Sequence, residues 1–243
     1  MVWIVLLLTM LSFLSTLETI FNANPEGRTI ESLSWTGYIV SQNFNSKHGV
    51  TSVEASWTVP QVNASSGDGF SSTWIGIGGQ TDKTLIQVGT EHDSAGGQAN
   101  YLAWYELLPS YSVTINGLNI SFGDIMEVSL NLVYSGVNVW NIHIRDTTNG
   151  QSFNLNVNYN STLSSGEWIV ERPAINGQIN TLCNFGTVPF SNCYITVNNV
   201  QGAIDNFTYT KIKMTNELNA PLATASGLSP DGTSFTARYI AGS

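Results

Sequence analysis

The sequence is poor in charge. Only 10% of its 243 residues are Asp, Glu, Lys or Arg, and the net charge is −9 because just eight of them are basic. Soluble proteins average about 25% charged residues, so this surface must rely on uncharged polar groups. Binding to a nucleic-acid backbone needs basic patches, and we therefore expect no nucleic-acid partner.

The few ionisable groups are mostly carboxylates, with 17 Asp plus Glu. As the pH falls these groups become neutral, and few cations remain to repel one another. The composition is therefore compatible with work in acid.

Cysteine is almost missing, with Cys183 and Cys193 as the only two. They lie ten residues apart around the segment TVPFSN, and this spacing suits a local disulfide in an oxidising compartment. We expect them to be paired, which would leave no thiolate nucleophile; two free thiols are the alternative.

No basic residue precedes the one long apolar run, which extends from Val2 to Leu14. The run has the length of a signal-peptide core and is shorter than the roughly 18 to 20 residues of a membrane span. We interpret residues 1–24 as a signal peptide or an uncleaved N-terminal membrane anchor. Either interpretation predicts a chain that is secreted or held on the outer face of the membrane, with membrane contact only if the segment stays uncleaved.

Helical periodicity is absent after residue 30. Short runs rich in β-branched and aromatic residues alternate with Gly, Asn, Ser and Asp clusters. Residues 128–136, 140–146 and 153–160 alternate polar and apolar, as half-buried antiparallel strands do, and TTNGQ at 147–151 predicts a hairpin turn. We predict one all-β domain over residues 30–243, a sandwich of two antiparallel sheets.

The common catalytic motifs are missing too. The sequence has no G-x-S-x-G, no H-E-x-x-H and no Asp-Thr-Gly or Asp-Ser-Gly. Its three histidines are scattered, and we interpret the segment EHD at 91–93 as a polar loop rather than part of a metal site. We therefore expect no metal and no cofactor.

Carboxylates and amides within aromatic strands remain as candidates. In GEWIVERP at 166–173, side-chain alternation places Glu167, Ile169 and Glu171 on one face and Trp168 on the other. These acids either line a solvated face or point into a concave, partly dry site, where desolvation would raise the pKa of a carboxyl group. Aromatic and acidic residues on neighbouring strands also suit a sugar-binding groove.

The ordered motifs of this chain resemble the glutamic peptidase, or eqolisin, family. They are WTGY (35–38), ASWTVP (55–60), TWIGIGG (73–79), LIQVGT (85–90), YLAWYELLP (101–109), TTNG (147–150), GEWIVERP (166–173) and VPF (188–190). The most specific are W-x-G-I-x-G, L-x-Q-x-G and A-W-Y-E.

The resemblance implies a concanavalin-like β-sandwich and a secreted endopeptidase that acts on polypeptides in acid. It also implies independence of metals and insensitivity to pepstatin, and we expect a monomer. The catalytic pair of the family falls on Gln87 and Glu171.

In the implied chemistry Glu171 is the general base on water, and the Gln87 amide donates to the developing oxyanion. Three further residues, Trp74, Trp104 and Glu106, match positions that line the family's groove. Glu167 takes the position flanking the catalytic glutamate, and we expect all four to bind substrate.

Two positions depart from the family pattern. Gly78 stands where an aspartate is common, and Leu102 where some members carry an acid. These departures bear on the pH optimum.

A glycoside hydrolase and a lectin-like binding module are the alternatives. A retaining glycosidase needs two carboxyl groups about 5 to 5.5 Å apart. Glu167 and Glu171 are about 13 Å apart along a strand, which argues against it.

Overall fold

The computed structural model describes residues 27–41, 49–80, 83–175 and 177–242. Eighteen strands, numbered β1 to β18 in chain order, are described: Arg28–Ser32, Trp35–Ser41, Val50–Thr58, Ser72–Gly78, Leu85–Ala95, Gln98–Leu107, Val113–Thr114, Ile125–Tyr134, Val139–Asp146, Ser152–Asn158, Ser165–Glu171, Ala174–Ile175, Gln178–Ile179, Thr187–Val197, Val200–Ala203, Tyr209–Thr215, Pro221–Ala225 and Phe235–Tyr239. Three short 3₁₀ turns span Ala64–Ser66, Ser135–Val137 and Ile204–Asn206.

The predicted signal peptide or anchor at residues 1–24 lies outside the described residues. Within the described ranges, no helix has the length and apolar character needed to cross a bilayer.

The strands form one hydrogen-bonded sheet in the order β10-β9-β8-β3-β14-β18-β17-β16-β2-β11-β4-β5-β6-β7. Two more strands attach beside this path, β1 on β16 and β15 on β14, and β12 pairs with β13 separately. The β1–β16 ladder is parallel and the other described ladders are antiparallel.

The all-β class is confirmed. The sheet folds back on itself, so that its two halves pack face to face. Trp57 of β3 donates from Nε1 to the Thr90 hydroxyl of β5 at 3.0 Å, and Trp168 of β11 donates to the Glu54 carbonyl of β3 at 3.0 Å. Neither pair of strands is adjacent in the sheet. We expected two separate sheets, but β16, β17 and β18 carry the ladder from one half to the other.

The main core lies between the two halves. Trp57, Trp140 and Trp168 are buried in it together with Phe185 and Phe190. Burial of one large apolar side chain stabilises a fold by about 1.5 to 3 kcal/mol relative to its exposed state. The predicted hairpin is also confirmed, since residues 147–151 connect β9 and β10.

A second, smaller apolar cluster lies on the opposite side of β2, β4, β5, β6 and β11. Its buried members are Ile39, Trp74, Leu85, Trp104, Ile169 and Ile212. The five strands are therefore buried on both faces, and the face away from the main core carries the candidate site. We call it the site face.

The disulfide prediction is wrong. Cys183 and Cys193 are both free and buried. Cys193 lies within β14 and points into the main core, whereas Cys183 precedes β14 and its backbone N–H bonds to the Phe70 carbonyl. Burial raises the pKa of the Cys183 thiol to about 12 and that of the Cys193 thiol well above its ordinary value, which disfavours the thiolate form of both.

Candidate active site

The register of the five strands places the predicted residues in three rows across the site face. The first row runs across Ile39, Glu167, Gly76, Gln87 and Glu106. The second runs across Gly37, Ile169, Trp74, Gly89 and Trp104. The third runs across Trp35, Glu171, Ser72, Glu91 and Leu102. All six predicted site residues therefore share one face.

Gln87 and Glu106 are hydrogen-bonded neighbours in the first row. The Gln87 amide donates from Nε2 to Glu106 Oε2 at 2.5 Å, and both side chains are buried. A primary amide carries two N–H groups, so one remains available to a further acceptor. Glu106, which the sequence suggested as a substrate-binding residue, thus holds the amide in place.

Glu171 is held by two indoles. Trp74 Nε1 donates to Glu171 Oε2 at 2.8 Å, and the Trp35 side chain also bonds to this carboxylate. The two indole rings pack edge to face with centroids 5.2 Å apart. Hydrogen bonds from N–H donors favour the ionised form of a carboxyl group, so the indoles oppose the effect of burial.

Glu167 and Glu171 occupy different rows. Glu167 lies in the row of Gln87 and is 0% exposed, while Glu171 is 4% exposed. Glu171 therefore retains some contact with the outside and Glu167 none. The interpretation that both acids line a solvated face is wrong, because both are buried.

Glu171 and the Gln87–Glu106 pair lie two rows apart on the site face, with the row of Trp74 between them. The charge of Glu171 contributes to the raised pKa of Glu106. Gln87, Glu106 and Glu171 thus share one face, and Trp74 lies in the row between them.

Two glycines shape this face. A Cβ on Gly76 would lie 2.8 Å from the Trp74 ring, 2.8 Å from Leu85 and 3.3 Å from Glu167 Oε2, so only glycine lets these side chains pack here. Gly78 has φ +91°, and a Cβ there would lie 2.5 Å from the Thr84 carbonyl. An aspartate at position 78 would therefore need a different backbone conformation.

The sequence reasoning missed two acids. The segment EHD is not a polar loop: it lies within β5 and is buried. Glu91 and Asp93 face the site side, while the His92 ring contacts the Thr90 hydroxyl at 2.7 Å on the core side. The signal was available, because residues 87, 89, 91 and 93 must share one face of a strand.

Burial dominates the electrostatics of the site. Desolvation, with a smaller contribution from Glu171, raises the pKa of Glu106 to about 8. Desolvation raises the pKa of Glu171 to about 7, against the lowering effect of the Trp35 and Trp74 donors, while the charge of Glu91 adds to the rise. Both carboxyl groups are therefore mostly protonated in acid.

These shifts predict that the fold is most stable in acid. A carboxyl group whose folded-state pKa lies above its unfolded value favours folding below the unfolded pKa, and this contribution is lost as the pH rises through the folded value. For Glu171 and Glu106 the loss spans the range from about 4.5 to about 8. We expect the melting temperature to fall by on the order of 5 °C or more between pH 4 and pH 9.

Calorimetry or circular dichroism over this pH range measures the effect. The double variant Glu106→Gln, Glu171→Gln serves as the control, because its neutral amides cannot titrate and its melting temperature should vary less with pH. Equal pH dependence in the two proteins would contradict the assigned shifts.

Comparison with known proteins places the chain. The Peptidase A4 family matches residues 33–239. Aspergillopepsin-2 from Aspergillus niger is 29% identical over 189 residues, which cover 68% of this chain and 64% of that protein. Scytalidopepsin B from Scytalidium lignicola is 26% identical over 231 residues, covering 89% of this chain and 81% of that one.

Solved structures agree with the fold. A crystal structure of scytalido-glutamic peptidase with a transition state analog inhibitor superposes with a TM-score of 0.71 at 21% identity, covering 85% of this chain and 98% of that one. Aspergilloglutamic peptidase from Aspergillus niger superposes with a TM-score of 0.62 at 26% identity, covering 70% and 99%.

Proposed function

The chain belongs to the peptidase A4, or eqolisin, family, and from that premise we propose that it is an endopeptidase with Gln87 and Glu171 as its catalytic pair. The observation that carries the proposal is the joint placement of the two residues. A glutamine held by Glu106 and a carboxylate held by two tryptophans lie on one buried face.

In the proposed reaction Glu171 takes a proton from a water molecule as that water attacks the substrate carbonyl carbon. The negative charge that develops on the carbonyl oxygen accepts a hydrogen bond from the Gln87 amide. Collapse of the tetrahedral intermediate breaks the C–N bond, and Glu171 returns the proton to the leaving amine. The amide suits this role in acid because it does not titrate there.

The surrounding groups keep this pair in position. Glu106 uses one N–H of the Gln87 amide, which orients the other towards the substrate side. Trp74 and Trp35 hold the Glu171 carboxylate against rotation. Trp104 lies in the next row, where its indole Nε1 has no partner among the described residues, and we assign it to substrate binding.

We also propose that the protein is exported from the cell. The apolar run from Val2 to Leu14 supports a secreted or membrane-anchored protein. We propose no role for a metal or a cofactor, and among the described residues no three His, Cys, Asp or Glu side chains are grouped to hold an ion.

Digestion of an unfolded protein across pH 2 to 10 tests the function. A general base must be ionised, and the pKa of Glu171 is about 7, so activity should rise from strong acid towards that value. Deprotonation of Glu106 and the loss of stability limit activity on the alkaline side. We therefore expect a bell-shaped profile of kcat/KM with its maximum between about pH 7 and pH 8, midway between the pKa values of the two carboxyl groups.

Parallel reactions with pepstatin and with a chelator should leave the rate unchanged. The absence of peptide cleavage at every pH would sink the proposed function. An activity maximum near pH 2 to 3 would instead contradict the role of Glu171 as a general base. It would indicate that Glu171 acts in its protonated form.

A further inference from the structure

Glu91 and Asp93 form a second pair of acids on the site face. They are two residues apart on β5, so their side chains point the same way. Glu91 is 4% exposed and Asp93 8%, and the two carboxyl groups are hydrogen-bonded to each other. Two carboxylates are both acceptors, so this hydrogen bond requires one proton between them.

The pair lies next to the proposed base. Glu91 belongs to the third row, two strands from Glu171, with only Ser72 of β4 between them. That lateral separation corresponds to about 10 Å between backbones. Ser72 is small, uncharged and buried, so no other charge separates the two acids within the row.

Every strand that surrounds Glu171 contributes to its environment. The groups that face it are Trp35 from β2, Ser72 and Trp74 from β4, Glu91 from β5 and Glu106 from β6. Glu167 lies two rows away on the same strand. Glu106 is already bonded to Gln87, and the two indoles are neutral. Glu91 is therefore the acid in the row of Glu171 whose charge its own neighbour, Asp93, can control.

We propose that Glu91 and Asp93 act as one proton-sharing carboxyl pair that sets the pH at which Glu171 becomes ionised. Burial raises the pKa of both acids, and the charge of Glu91 adds to the rise at Asp93, whose pKa reaches about 10, so the shared proton resides on Asp93 and the charge of the pair on Glu91. The negative Glu91 then disfavours a second negative charge on Glu171. Glu91 thus acts through Glu171, whose pKa its charge raises, and not through contact with the substrate.

The inference rests on the proposed role of Glu171, but its test does not require activity. The carboxyl carbon of Glu171 is followed by NMR in protein labelled with ¹³C-glutamate, and the signal is assigned by its loss in Glu171→Gln. Its titration midpoint is compared in the wild type, Glu91→Gln, Asp93→Asn and the double variant Glu91→Gln, Asp93→Asn.

The double variant removes the charge, and the Glu171 midpoint should fall by about one pH unit, as expected for unit charges about 10 Å apart near a protein surface. Asp93→Asn keeps Glu91 charged, so the midpoint should change by less than about 0.3 units. In Glu91→Gln, Asp93 is the only acid of the pair that can ionise, and it lies farther from Glu171. We therefore expect the Glu171 midpoint to fall by an intermediate amount. The acidic limb of the kcat/KM profile should move with the midpoint in each variant.

An unchanged midpoint in the double variant would overturn the inference. If the double variant does not fold, an unchanged midpoint in the isosteric Glu91→Gln variant has the same force. A purely structural role would lower stability or rate at all pH values without moving the midpoint, which also counts against the pair. Wild-type protein that cleaves no peptide would refute the proposed function, while the NMR titration would still decide the inference.

Discussion

Replacing Glu171 by Gln should lower kcat/KM for peptide cleavage by about 10³-fold or more, since a positioned general base contributes about 10² to 10⁴. Glutamine keeps the shape of the side chain and can still accept the Trp74 hydrogen bond, but it cannot take a proton from water. Initial rates on a quenched fluorescent peptide at the pH optimum measure the effect. The melting temperature of the variant should not fall in acid, because the wild-type residue is protonated there.

Glu167→Gln is the matched control for this variant. It makes the same chemical change on the same face of the same strand, two rows from Glu171. We expect it to reduce the rate by no more than about tenfold, because Glu167 is 0% exposed and therefore out of contact with solvent water. A larger loss in Glu167→Gln than in Glu171→Gln would exchange the roles of the two acids.

Replacing Gln87 by Ala should lower kcat by about 10² to 10³, the usual effect of removing one oxyanion donor. KM should change much less, because the interaction strengthens only as charge develops on the substrate oxygen. Steady-state kinetics on the same peptide separates the two parameters. The substitution also removes the hydrogen bond that Gln87 donates to the buried Glu106 carboxyl group, so a small loss of stability is expected.

Gln98→Ala provides the reference for this measurement. Gln98 begins β6 and is exposed, far along the strand from Glu106, so its removal should leave kcat within about twofold. A loss of kcat in Gln87→Ala that is no greater than in Gln98→Ala would eliminate Gln87 as the oxyanion donor. A rise in KM with kcat unchanged would make it a binding residue only.

Much of the fold could be predicted from local pattern. Alternation along GEWIVERP placed Trp168 on the core face and Glu167, Ile169 and Glu171 on the other, as the structure has them. Local pattern does not reveal which distant strands pair. The continuity of the ladder through β16, β17 and β18 depends on contacts far apart in sequence, so two separate sheets were the natural expectation.

Cysteine spacing failed for a similar reason. Two cysteines ten residues apart can form a disulfide only if their Cα atoms lie close together and their side chains point towards each other. Cys193 is instead a core position of β14, and that assignment depends on the register of the whole strand. The prediction treated the segment as a loop, and the buried strand overrides it.

The motifs name the residues of the candidate site, but they do not reveal the contacts between them. The motifs supplied Gln87 and Glu171, whereas their partners Glu106, Trp74 and Trp35 became visible only through the pairing of β5 with β6 and of β11 with β2 and β4. Glu91 and Asp93 were overlooked because three consecutive ionisable letters resemble a loop. In a strand buried on both faces, they must alternate between a core and a site.

The pairing of β11 also determines when this site can exist during synthesis. Glu171 obtains its two indole donors from β2 and β4, and the far edge of β2 is closed by β16, near the end of the chain. A nascent chain that ends before β11 lacks Glu171, and one that ends before β16 leaves β2 with an open edge. Because such long-range pairing forms slowly, we expect an interval during synthesis in which the growing chain has not yet assembled the site face.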